Sequence, residues 1–246
     1  MFSFFQKKKP LVTDLSWMGV DIHSHLLPSL DDGSPDVMTS VALIRRLSNI
    51  GLDTFHCTPH IFKELYPNTP QTINAALDQL RKALEEEKID VKVTAAAEHM
   101  VDSDFTVEEG LMSLPDKHLL IEMSYLNETP NIEQVIFDLQ IQGYTVVLAH
   151  PERYNFYHQN FPRYRRLKDM GCLFQLNLLA ITGYYGKPVK QVAEQLLASK
   201  LYDLVGTDLH HEKHLQALEY AVHQGILFQK VGHFPFLNQQ LFGKYN

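Results

Sequence analysis

Histidines and carboxylates recur in this 246-residue sequence at the ends of short apolar runs. The first pair closes the stretch Val20-Asp21-Ile22-His23-Ser24-His25, and Asp31-Asp32-Gly33 follows it. Residues two apart in an extended segment project from one face, so His23 and His25 point the same way. Two imidazoles at that spacing suit a borderline transition-metal ion, with a nearby carboxylate as a further ligand. Taken alone, a His-x-His pair is equally compatible with two ordinary hydrogen-bonded histidines.

The same placement repeats down the chain. Strand signals over residues 54–58, 91–97, 119–121, 145–149, 173–177 and 202–205 alternate with helix signals. Ser34-Pro35 opens a helix with the apolar face Val37, Val41, Ile44 and Leu47, which stops at Gly51, and Thr69-Pro70 opens the next. Further helices are expected over 131–143, 162–170, 188–199 and 214–223. Regular β-then-α alternation implies an α/β protein with a parallel sheet covered on both faces, and about seven units favour a closed or nearly closed barrel. No Gly-x-Gly-x-x-Gly follows the first strand, which weighs against a dinucleotide fold. His60, Glu98, Glu122, His150, Asp208 and His210 then join His23 and His25 at C-terminal strand ends, the rim where parallel barrels carry their chemistry. Three carboxylates and five histidines facing one another without a cation carry a heavy repulsion and desolvation penalty. Bound divalent ions remove it.

Composition narrows the class. A formal net charge of −7 argues against general nucleic-acid binding, and no apolar run approaches the ~20 residues of a membrane span. The two cysteines, Cys57 and Cys172, lie in hydrophobic runs, as expected of a reduced, cytoplasmic protein. A thiol-based phosphatase needs Cys-(x)5-Arg, but Lys63 and Leu178 stand at the sixth position after each cysteine. Residues 1–19 read as an N-terminal tail. Its Phe2, Phe4, Phe5 and Lys7-Lys8-Lys9 are no signal peptide, and such a tail is either solvated or touches an anionic membrane or a partner. Residues 20–246 read as a single domain.

The ordered set Asp21-Ile22-His23-Ser24-His25, Asp31-Asp32-Gly33, Thr58-Pro59-His60, Ala97-Glu98, Ile121-Glu122, Ala149-His150-Pro151-Glu152-Arg153-Tyr154 and Thr207-Asp208-Leu209-His210 resembles the PHP (polymerase and histidinol phosphatase) superfamily. Within it, the sequence is most similar to the bacterial manganese-dependent protein tyrosine phosphatases of capsule and exopolysaccharide operons. The resemblance implies a distorted (β/α)7 barrel of the TIM-like PHP type, with a trinuclear divalent metal cluster at its rim. Manganese is the ion implied, and iron, zinc or magnesium are also compatible with such donors. Its substrate would be the phosphotyrosine tail of a bacterial tyrosine autokinase, which would hold the protein at the inner face of the membrane through that partner. Carried over by motif, the implied ligands are His23, His25, Asp32, His60, Glu98 (as a bridge), Glu122, His150, Asp208 and His210. Asp31 competes with Asp32 for one role, and Asp21 is expected to orient a ligand or cap the strand. Arg153 resembles the family's phosphate-binding arginine, the alternative being an ion pair with Glu152 or another acid. The implied chemistry is metal-assisted hydrolysis without a phosphoenzyme.

Other residues carry weaker signals. Tyr184-Tyr185-Gly186 lies on the same rim, and Tyr184 is the expected aromatic wall for the substrate. Arg163, Arg165 and Arg166 either recognise an acidic phosphopeptide or form a solvated helix face. His56 is expected in the core, the alternative being a residue that supports a ligand from behind. His99 is expected to face away from Glu98, and His211 and His214 to lie in solvent or at a helix cap. Residues 224–246, with Phe234-Pro235-Phe236-Leu237, either close the barrel's underside or make a subunit contact. The competing functions are an amidohydrolase on a related barrel, a small-molecule phosphatase acting on a histidinol-phosphate-like substrate, and a metal-stabilised module that docks a kinase tail. Amidohydrolases usually bridge two metals through a modified lysine, where this sequence has Glu98 and Glu122.

Overall fold

The computed structural model describes residues 11–108 and 110–245, so the Phe/Lys run of the tail lies outside the described residues. The strands are β1 (Thr54–Cys57), β2 (His60–Ile61), β3 (Lys92–Ala95), β4 (Glu98–Met100), β5 (His118–Glu122), β6 (Thr145–Ala149), β7 (Leu173–Asn177) and β8 (Leu204–Gly206). Strands β1 and β3 pair with each other, and β2, β4, β5, β6, β7 and β8 follow in that order in a six-stranded sheet. Every pairing is parallel. The fold is α/β, and neighbours along the sheet follow the order of the chain.

Two expected strands are interrupted, for identifiable reasons. The run over 91–97 is split into β3 and β4 because its partner contains Pro59, which has no N–H to give to a ladder. Ala96 N donates to Cys57 O at 2.8 Å and Glu98 N to Pro59 O at 3.1 Å, so the chain crosses the gap without regular pairing. Residues 20–25 are extended but form no regular strand. Isolated bridges join Asp21 to Phe55 on one side and Ser24 to Leu209 on the other. The Asp21 carboxylate itself accepts Thr207 N at 3.0 Å and Thr207 Oγ1 at 2.6 Å, taking a donor that a ladder would have used. This segment nevertheless joins β1 to the chain after β8: His56 N donates to Asp21 O at 2.8 Å and His25 N to Leu209 O at 2.9 Å.

The helices α1 (Val37–Asn49), α2 (Pro70–Glu86), α3 (Ile132–Ile141), α4 (Phe161–Asp169), α5 (Leu178–Thr182), α6 (Lys187–Ala198), α7 (Glu212–His223), α8 (Ile226–Val231) and α9 (Asn238–Phe242) fill the connections and the C-terminus. Asp36, rather than Ser34-Pro35, caps α1 by accepting Thr39 N at 2.8 Å. Thr69 and Thr72 form a capping box on α2. Asn131 precedes α3 in a left-handed conformation without a side-chain cap. The short helix α5, not among the helices expected from the sequence, follows β7 directly and is held by Asn177 Oδ1 accepting Leu179 N at 2.9 Å.

Apolar side chains divide into two sets. Val20, Ile22, Leu120, Val147, Leu204 and Phe242 pack together on one face of the strands, and the helices cover a larger cluster on the other. Leu15 and Met18 belong to that larger cluster, so the packed structure begins before residue 20. The C-terminal segment closes onto the chain's own core. Phe242 enters the first cluster, and the buried Asn238 accepts Val205 N at 3.0 Å while donating to Val20 O at 2.8 Å and Val205 O at 2.7 Å. Asn238→Ala strands these three buried backbone groups; the expected loss is about 2 kcal/mol, or about 4–8 °C in Tm by thermal unfolding. An unchanged Tm would remove Asn238 from the account of how the two ends are joined.

Candidate metal centre

Around Glu98 the structure gathers all nine residues implied as ligands. His23 Nε2 lies 3.2 Å from Glu98 Oε2, 3.4 Å from Asp208 Oδ1 and 3.3 Å from His25 Nε2. His60 Nδ1 is 3.2 Å from Glu98 Oε2 and 2.9 Å from Glu122 Oε1. His150 Nε2 reaches Glu98 Oε1 at 3.0 Å. Four overlapping groups have donor atoms within 4.8 Å of one another: His25, Asp32, His60 and His210; His23, Glu98 and His150; His23, His25 and Asp208; and His60, Glu98 and Glu122. Oxygen and imidazole donors of this kind suit divalent transition metals.

The electrostatics support that fit. Glu98 Oε2, Asp208 Oδ1 and His60 Nδ1 are buried without a hydrogen-bond partner. Burial alone would raise Glu98, but His23 and His60 hold it well below the ordinary glutamate range, and His23 and His210 do the same for Asp208. Burial pulls His23 down, yet Glu98 and Asp208 outweigh it and lift His23 to about 9. His210 moves the other way, to about 3, through its burial and the charge on His25. Protons therefore cannot satisfy the whole set at once. Divalent cations can.

The backbone and a second layer of side chains aim these groups. His150 and Asp208 have φ of 32° and 49°, left-handed values unusual for residues with a Cβ, immediately after β6 and two residues after β8. Gly33 is needed because a Cβ there would fall 2.2 Å from His25 O. Asp31 accepts from His25 Nδ1 at 2.8 Å, from His60 N at 2.9 Å and from Gly33 N at 2.9 Å. Its oxygens are engaged in orientation, whereas Asp32 Oδ1 faces His60 Nε2 and His210 Nε2, each at 3.6 Å. Gln175 Oε1 fixes His23 through Nδ1 at 2.8 Å and accepts His150 N at 3.3 Å. Asp21 accepts the backbone N–H of the ligand candidate His23 at 3.4 Å; it is raised to about 6 by burial and ties Thr207 to the first segment.

Above the cluster lies a cavity of about 410 Å3 whose lining includes Tyr66, Tyr125, Arg153, Tyr185, His211 and His214. Arg153 Nη1 pairs with Asp208 Oδ2 at 2.9 Å, and its guanidinium lies 4.5 Å from the Tyr125 ring centroid and 4.4 Å from that of Tyr185. Glu152, the alternative partner read from the sequence, turns away and accepts Asn177 N at 2.9 Å and Tyr202 OH at 2.8 Å. The cavity wall is Tyr185, not Tyr184, which packs edge-on against Tyr185 and His214. Arg163 and Arg166 are paired with Glu128 and Glu133 rather than turned to the cavity. His56 bonds Thr94 and meets Phe242, and His99 bonds Met112 O at 2.9 Å. Burial lifts both cysteine thiols to about 12, in keeping with core roles.

A family model described as capsular polysaccharide synthesis, CpsB/CapC, matches residues 19–224. The chain belongs to the CpsB/CapC family. It is 33% identical over 198 residues to the tyrosine-protein phosphatase YwqE of Bacillus subtilis, covering 79% of this chain and 78% of that protein. It is 28% identical over 201 residues to the tyrosine-protein phosphatase CpsB of Streptococcus pneumoniae, covering 78% and 83%. A solved chain from crystal structures of YwqE and CpsB, described as unique metal-dependent tyrosine phosphatases, superposes with a TM-score of 0.76 at 31% identity over 88% of this chain and 89% of that one.

For this CpsB/CapC member, motif reading missed the residues that hold the ligands. Gln175 and Asn177 are polar at alternate positions of an otherwise apolar strand, a period-two signal that points both to one face. Tyr66 and Tyr125 come from irregular loops, where no period indicates direction. His214 was expected at a helix cap or in solvent, but it is buried against the cavity, while His211 does cap α7. Gln175→Ala should leave the fold intact and weaken divalent-metal affinity by about 10–100-fold in a metal titration, because His23 loses the partner that fixes its ring. Wild-type affinity in that variant would show that Gln175 does not tune the site.

Proposed function

We propose that this chain is a metal-dependent protein tyrosine phosphatase acting on a phosphotyrosine protein. The observation that carries the reading is Arg153. It stands beside the cation-demanding cluster, is tied to one of its carboxylates, and lies between two tyrosine rings at the cavity wall. Hydrolysis adds water across the P–O bond and releases phosphate and tyrosine. Divalent ions held by His23, His25, Asp32, His60, Glu98, Glu122, His150, Asp208 and His210 would supply water of lowered pKa and neutralise charge on the phosphoryl oxygens. Arg153 grips those oxygens and balances the charge that grows in the transition state. Asp208 and the flanking tyrosines hold its guanidinium in place. Tyr125 and Tyr185 give the substrate's aryl ring an apolar wall.

The finer reading extends the same observations. Sharing of His23, His25, His60 and Glu98 among the metal-competent groups supports more than one ion at the site, for which Glu98 would be a shared ligand, with three ions and manganese the number and identity that the family resemblance implies. The bridges from residues 20–25 to β1 and to Leu209 support closure of the strands as a distorted (β/α)7 barrel in a single domain. The substrate fits the tyrosine-rich tail of a bacterial autokinase in capsule or exopolysaccharide synthesis, with the enzyme cytoplasmic and drawn to the membrane through that partner.

Chelation should abolish hydrolysis of a tyrosine-phosphorylated peptide, and manganese should restore it, with phosphotyrosine preferred over phosphoserine and histidinol phosphate. A folded, metal-loaded protein that leaves all three intact would overturn the reading. Arg153→Ala should keep metal content and Tm but lower kcat/KM by about 10²–10³-fold; wild-type turnover in that variant would remove Arg153 from phosphate binding.

A further inference from the structure

His214 stands outside the metal-competent groups and has no part in the hydrolysis as derived above, yet it is buried and lines the cavity. It lies in the first turn of α7, where His211 Nδ1 accepts its backbone N–H at 3.3 Å. Its ring meets His210, His211, Tyr184 and Tyr185, with the ring of Tyr185 at 6.1 Å between centroids. Arg153 lies against that same Tyr185 ring, 4.4 Å from its centroid. His214 and the phosphate-gripping arginine therefore flank one wall.

The hydrogen bonding of His214 sets its tautomer. His214 Nδ1 accepts the backbone N–H of His210 at 3.3 Å. A ring nitrogen that accepts an N–H has its lone pair there, so the ring's proton sits on Nε2. Nδ1 is thus taken by the backbone of His210, and Nε2, on the far side of a ring that lines the cavity, makes no hydrogen bond among the described residues. Arg153 and the metal ligands address an anion with positive charge. A fixed neutral donor adds direction without further charge.

We propose that His214 is a substrate-binding residue that donates its Nε2–H to an oxygen of the phosphoryl group, alongside Arg153. The proposal rests on the phosphatase reading of the site. Two substitutions separate a donor from a structural support. His214→Asn keeps an acceptor near the Nδ1 position for His210 N–H but removes the distal donor. His214→Gln places an amide N–H near the Nε2 position but removes the proximal acceptor.

Each variant, loaded with manganese, is compared with wild type in Tm, in the inhibition constant of inorganic phosphate and in kcat/KM on a phosphotyrosine peptide. The expected result is that His214→Asn keeps Tm while phosphate inhibition weakens about tenfold and kcat/KM falls about 10–100-fold, with His214→Gln recovering most of both. The imidazole 15N shifts of His214 in the wild type should also report the Nε2–H tautomer. Wild-type phosphate inhibition in His214→Asn would overturn the proposal. Equal damage in the two variants would do so too, since it assigns His214 to packing. A wild type that binds phosphate but leaves phosphotyrosine intact would defeat the phosphatase reading, and the dissociation constant of inorganic phosphate, measured by calorimetry on wild type and the two variants, would still decide the role of His214.

Discussion

The structure depends on one buried anion. Glu98 is fully buried, and its Oε2 faces His23, His25 and His60 at 3.2–3.4 Å without accepting a hydrogen bond from any described residue. An uncompensated carboxylate at that depth costs several kcal/mol. The surrounding rings cannot all be protonated to compensate it, because each added imidazolium repels the next; His210 is pushed down to about 3 partly for that reason. The polypeptide thus brings together a charge pattern that side chains alone leave unbalanced, and the missing component must be cationic.

Positioning that pattern is the task of the strand ends. Glu122, His150 and Asp208 stand at or just past the ends of β5, β6 and β8, whereas His60 and Glu98 open β2 and β4 rather than ending a strand as expected, so side-chain direction is fixed locally, by different devices. Positive φ at His150 and Asp208 turns the chain where strands give way to loops. Strain of this kind persists only where surrounding contacts over-determine it. Here the contacts are Gln175 Oε1, which binds both His23 and the backbone of His150, and Asn177 Nδ2, which donates to Asp208 Oδ2 at 2.7 Å. One strand, β7, contributes no member of the metal-competent groups and yet aligns those on both of its neighbours. At the opposite end, Asn238 and Phe242 tie the first segment to β8, so the rim is set on a framework closed by the C-terminus.

Much of this was legible in the sequence because period two and strand-end placement are strong signals. The alternation of apolar runs with polar terminal residues located β1, β5, β6 and β7 and put His60, Glu122 and His150 at or just beyond their ends. What the pattern could not supply was direction inside turns. Asp31 and Asp32 are adjacent, and only coordinates distinguish the carboxylate that orients His25 from the one that faces His60 and His210. Tyr184 and Tyr185 pose the same difficulty one loop away. The irregularity of residues 20–25 was hidden for a different reason: it arises from a long-range bond between Asp21 and Thr207, which no local periodicity reports. The role of Asn238 was hidden likewise, since its three partners lie at Val20 and Val205, far from it in sequence.

Asp208 links the two halves of the site. One of its oxygens faces the histidines of the cluster, and the other accepts from Arg153 and Asn177. The carboxylate therefore couples the histidine cluster to Arg153, and a change in charge on one side is felt on the other. The linkage also explains why the wall needs a guanidinium. Among the described residues Arg153 commits one terminal nitrogen to Asp208, and a planar fork with five N–H donors keeps others for the phosphate oxygens of the proposed substrate while lying close to two tyrosine rings. A lysine ammonium is a single point of charge. At this position it would have to divide that point between the carboxylate and the substrate, and it offers no flat face to the rings.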